Sequence, residues 1–94
     1  LGDTTILSVA SDMRFYIKKM VLVCKGAVDF KLKSQATDLT GTIGATAGQQ
    51  FYWQREINDE DYLFIGAAKG DDLIINLGAA VVVGGWLVYD LKPQ

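Results

Sequence analysis

The chain has 94 residues, 11 acidic against 9 basic side chains, one cysteine and no histidine. That length predicts a single domain burying roughly 60–65% of its unfolded surface, and its 50% apolar content supplies a core and argues against disorder. With no histidine, serine or cysteine catalysis through an imidazole is excluded within the chain, and one cysteine makes neither an internal disulfide nor a cysteine zinc site.

The first pattern in chain order is the run from Met13 to Cys24. Its first half alternates, with Met13, Phe15 and Ile17 on one side. The second half, Met20 to Cys24, is apolar on both faces, which predicts a long strand covered twice there. Lys18-Lys19 stands where the pattern changes and predicts a bulge. Lys25-Gly26 then predicts a tight hairpin into the next strand. In Ala27–Lys33 the period is two: Val28, Phe30 and Leu32 face one way, Asp29, Lys31 and Lys33 the other. That is a strand with one wet face.

Residues 34–50 are rich in threonine, alanine and glycine, and predict a short strand around Leu39–Ile43 before a loop ending at Gly48-Gln49-Gln50. Phe51-Tyr52-Trp53 reads as a short strand or strand edge. Residues 55–61 read as a charged turn, and Tyr62–Ile65 returns to strand composition. One helical turn over 59–65 is the alternative, since acids favour helix N-termini. Asp71-Asp72 signals a turn before Leu73–Leu77, where Leu73, Ile75 and Leu77 share a face. Val81–Tyr89 is the last predicted strand, and its Gly84-Gly85 pair predicts a bulge or a close backbone contact.

About seven to eight short strands with glycine turns and no convincing helix predict an all-β fold, a small antiparallel β-sandwich of jelly-roll-like type. A single domain over residues 1–94 is expected, with residues 1–10 as an arm or edge strand. No internal repeat, low-complexity segment or linker divides it.

The order of these elements resembles a group of small phage virion surface domains. The carrying residues are Arg14-Phe15-Tyr16-Ile17 through Val21-Leu22-Val23, then Gly26–Ser34, then Thr37-Asp38-Leu39-Thr40-Gly41. Asp72–Leu77 followed by Ala79–Tyr89 is similar to the closing signature of that group. The resemblance spans roughly residues 14–90 and is weakest in the middle third. It implies a jelly-roll-like sandwich outside a phage particle, as a capsid decoration protein, head fibre or tail-fibre tip, commonly trimeric. The chain departs from the pattern at Phe51-Tyr52-Trp53 and at Asn58–Asp61, where that group carries glycine- and proline-rich loops.

The remaining groups bound the chemistry. Asp59, Glu60 and Asp61 with Asp71 and Asp72 could offer calcium oxygen ligands, but the spacing of a calcium loop is absent, and a solvated turn is the favoured reading. Paired carboxylates of the glycosidase kind have no cleft in so small a sandwich, and Asp29 alternates outward with Lys31. No catalytic residue, metal site or cofactor is therefore expected. The excess of acids argues against a nucleic-acid partner, no apolar run is long enough for a membrane helix, and the N-terminus shows no signal-peptide pattern. In the aromatic triplet Phe51 and Trp53 should share a face, with Tyr52 opposite them at a recognition surface or subunit boundary. Cys24 reads as a buried, inert thiol.

The surplus apolar strand residues predict an interface, with Met20, Leu22, Tyr52, Trp53, Val81, Val83 and Trp86 as candidates. Expected partners are further copies of the chain in a homotrimer, the major capsid protein or another virion protein, and in the alternative reading a host-surface glycan.

Overall fold

A computed structural model describes residues 2–54 and 62–93. The predicted charged turn at 55–61 lies outside the described residues. Within them the chain forms nine strands and no helix: β1 (Gly2–Leu7), β2 (Arg14–Cys24), β3 (Val28–Ser34), β4 (Thr37–Asp38), β5 (Ile43–Ala45), β6 (Gln50–Gln54), β7 (Phe64–Ile65), β8 (Leu73–Leu77) and β9 (Val83–Lys92).

Two antiparallel sheets pack face to face. The larger runs β1-β8-β3-β4, with β5 also on β3. In the smaller, β9 runs along one edge of β2 through ten residue pairs, Arg14↔Lys92 to Cys24↔Val83, while β6 and β7 share its other edge. The chain is thus an all-β sandwich, with β1, β3 and β8 in one sheet and β2 and β9 in the other, and it crosses between the sheets several times.

The two-residue period of 28–33 becomes β3, with Val28, Phe30, Leu32 and Ser34 buried and Asp29 exposed. In β2 the bulge forms where Lys18-Lys19 predicted it, as a register shift between Ile17 and Lys19 against β9. The extra residue changes the phase of the strand. Phe15 and Ile17 face the core before it, and Met20, Leu22 and Cys24 after it. Leu73, Ile75 and Leu77 of β8 close the core from the other sheet, and Phe51 and Trp53 pack at its margin. Each fully buried large side chain stabilises the fold by about 1.5–3 kcal/mol through loss of apolar surface.

Two expectations change. The connection at Lys25-Gly26 is not a hairpin, because β2 and β3 lie in different sheets. Both are interior strands already flanked on each side, so the chain arches from one sheet to the other. Lys25 N donates to Val82 O at 2.8 Å, and a Cβ at Gly26 would lie 2.8 Å from Val81 Cγ1. The strand predicted at Leu39–Ile43 does not form: residues 39–42 loop between β4 and β5, and only Ile43 enters a strand. Between them Thr40 Oγ1 accepts from Leu32 N at 3.1 Å, diverting the backbone from the ladder. Of the alternative helical turn at 59–65, residues 64–65 form β7 against Tyr16 and Ile17, and 59–61 lie outside the described residues.

One end of the sandwich is fixed by polar bonds. Buried Ser34 donates to Asp71 Oδ2 and accepts from Ala67 N, both at 2.8 Å. Asp72 Oδ1 accepts from Val9 N, and Asp72 N donates to Gln35 Oε1, also at 2.8 Å. Asp71 and Asp72 therefore bind loops of their own chain.

Candidate functional site

Parity along the strands decides what each outer face presents. On β3 the outward residues are Asp29, Lys31 and Lys33, and the register sets Lys31 beside Asn76 and Asn76 beside Asp3. Lys33 Nζ reaches Asp3 at 3.2 Å, Lys31 Nζ reaches Asp38 at 3.1 Å, and Asn76 Nδ2 donates to Asp3 Oδ1 at 2.7 Å. The Asn76 hydrogen bond, followed by the Lys33 contact, holds the Asp3 carboxyl below its ordinary value. The outer face of the larger sheet is thus charged and closes many of its contacts within the chain.

The smaller sheet is different. Register places Tyr52 of β6 and Trp86 of β9 on either side of Val21 of β2, all on the outer face. Two strand spacings separate the aromatics by about 10 Å. Tyr52 is 61% exposed and Trp86 52%. Val88 extends the apolar row, while Gln50, Gln54 and Lys19 give it a polar rim. The Tyr52 hydroxyl donates to Gln54 Oε1.

The glycine pair in β9 allows this arrangement. Gly85 has φ 144°, and a Cβ built there would lie 1.9 Å from Val21 O. Only glycine lets β9 lie this close to β2, the close contact that the pair predicted. Beside it a groove of about 410 Å³ opens between the β1–β8 edge and β9, lined by Ile6, Leu22, Leu77, Val81, Val83 and Leu87.

At its other end the same outer face is closed by the chain itself. Tyr16 packs against Tyr62 with the rings tilted by 56° and 5.0 Å between centroids, and Lys92 Nζ lies 5.0 Å from both centroids. The Tyr62 hydroxyl donates to Asp90 Oδ2 at 3.1 Å, and Lys18 pairs with Asp90 at 3.6 Å. The Tyr62 hydrogen bond leads the contacts that raise the Lys92 ammonium above its ordinary value. The doubly covered part of β2 is therefore around Tyr16. At Met20–Cys24 the outward Val21 and Val23 are only half-buried.

The predicted interface residues separate accordingly. Tyr52 and Trp86 stand on the outer face, while Val81, Val83 and Trp53 are half-buried against the core. Trp53 stacks on Phe51 at 5.8 Å and meets Phe64 edge-on. Met20 and Leu22 lie inside the chain's own core, because the bulge turns them inward and Val21 outward. Sequence reasoning missed Val21 and Val88, and the phase change at Lys18-Lys19 was the signal that could have found Val21. Cys24 is fully buried, and burial pushes its thiol up from its ordinary value. Among the described residues no three His, Cys, Asp or Glu side chains converge on a metal-sized centre, and no helix is long and apolar enough to cross a membrane. No family model, curated protein or solved structure matches the chain.

Proposed function

We propose that the chain is a non-enzymatic structural protein of a phage virion, made in the bacterial host cytoplasm, that decorates or stabilises the outer capsid surface as a homotrimer. The observation that carries this reading is the ordered set of motifs over residues 14–90. Support comes from the apolar row Tyr52–Val21–Trp86 with its polar rim, the composition of an adhesive surface. In this mechanism the row docks on the major capsid protein or another virion protein. A trimer engages several shell sites at once, so its avidity exceeds the affinity of one subunit.

A reconstruction of the whole particle tests the reading. Density for this sandwich at every equivalent surface position of the shell is the expected result, and its absence from the shell surface would overturn the proposal. A receptor- or glycan-binding fibre tip is the second reading, favoured by the two exposed aromatics, whose faces suit sugar stacking. In that case the domain would occur in few copies at a vertex or tail, and glycan binding would vanish in Tyr52→Ala with the fold retained.

A further inference from the structure

The described residues expose seven large apolar side chains, and five of them, Val82, Trp86, Val88, Tyr89 and Leu91, lie on β9 or just before it. Among the described residues β9 pairs only with β2, so its far edge offers unpaired backbone donors and acceptors along ten residues. From Val83 to Tyr89 that edge carries no charge and no proline, the guards that ordinarily keep edge strands apart. The charges at its end are engaged internally, Asp90 with Lys18 and Tyr62, Lys92 over two tyrosine rings.

We infer that two copies of the chain join through their β9 edges, antiparallel and centred on Leu87, making one continuous sheet across a two-fold axis. The strand is self-complementary in this register. Trp86 stands opposite the partner's Val88 on the outer face. On the inner face Tyr89 stands opposite the partner's Gly85, and Leu91 opposite the partner's Val83, at the mouth of the groove beside β9. An aromatic over a cross-strand glycine restores packing that the glycine lacks. Asp90 meets the partner's Gly84 and Lys92 the partner's Val82, so no like charges oppose. These five residues expose roughly 500 Å², backbone included, against ~800 Å² per partner in a standard interface, which places the contact at the small end of specific interfaces. The inference goes beyond the proposed function. A two-fold contact cannot close a trimer, so in a trimeric assembly it links one trimer to the next.

Sedimentation equilibrium of the chain alone, up to high-micromolar concentration, tests this with three proteins: the unaltered chain, Val88→Lys and Tyr52→Lys. The expected result is pairing of the unaltered chain, as dimers or as trimers associating further. Val88→Lys should weaken that pairing at least about tenfold by placing a charge on the edge. Tyr52→Lys, on the same face but two strands away, should leave it unchanged, with circular dichroism confirming all three folds. A monomer throughout would overturn the inference and the proposed trimer together. A closed trimer that associates no further would overturn the inference alone, as would pairing lost in Tyr52→Lys but kept in Val88→Lys.

Discussion

The two outer faces of this sandwich are built from strands of the same kind and reach opposite results. On the larger sheet Lys31 pairs with Asp38, Lys33 with Asp3, and Asn76 donates to Asp3, so the polar groups satisfy one another across four strands. On the smaller sheet Tyr52, Val21, Trp86 and Val88 leave an apolar row with no cover from the described residues. The total accessible surface, 5274 Å², is close to the ~5,350 Å² of an ordinary folded monomer of this mass. The difference lies in how that surface is distributed: the smaller sheet carries exposed Tyr52, Trp86 and Val88 on its outer face, and the larger sheet carries charge.

The largest expected effect tests how the apolar face is held. Gly85→Ala drives a methyl into the Val21 carbonyl, and should cost about 2–4 kcal/mol through strain and displacement of β9. Urea unfolding measures it, and a loss below that range would mean that β9 lies against β2 without needing the glycine. For the larger sheet the corresponding lock is Ser34. Ser34→Ala leaves Ala67 N without its acceptor and Asp71 without its donor, and should cost about 1–3 kcal/mol in the same experiment.

Trp86→Ala should change folding stability by less than about 1 kcal/mol, because the half-exposed ring loses only its cross-strand contact with Val21. A loss several times larger would make Trp86 part of the fold rather than of a contact surface. The smallest effect belongs to Asp3→Asn. The Asp3 carboxyl is held below its ordinary value when folded, so its contribution is full above the unfolded value and is lost as the pH falls through the folded one. The stability difference between the two proteins should therefore be small at neutral pH, shrink in acid, and shrink with added salt because the lysine contact is exposed. Cys24 offers a separate check on the core: a thiol reagent should modify it only on unfolding.

Much of the fold was legible because a strand with one wet face writes its period into the sequence. Val28–Lys33 and Leu73–Leu77 gave their inward residues directly, and the Gly84-Gly85 pair announced the close approach of β9. The candidate surface was legible in part. Tyr52 was recognisable from its parity against Phe51 and Trp53, whereas Trp86 was only an interface candidate until the register with Val21 placed it on the outer face. Met20 and Leu22 were assigned to the surface because a run apolar on both faces does not state which parity is inside. The Lys25-Gly26 arch was misread because turn chemistry is local, whereas the sheet that a strand joins depends on partners far along the chain.

The sequence by itself determined the all-β class, the position of the β2 bulge and the residues able to form a core, since these follow from local periodicity and backbone freedom. Only the tertiary structure decided that Val21, Tyr52 and Trp86 form one row, that Tyr62 and Lys92 cover Tyr16, and that β9 has β2 as its one strand partner among the described residues. Each of those facts depends on strand register between segments tens of residues apart, and register is set by the joint burial of two sheets rather than by any one segment.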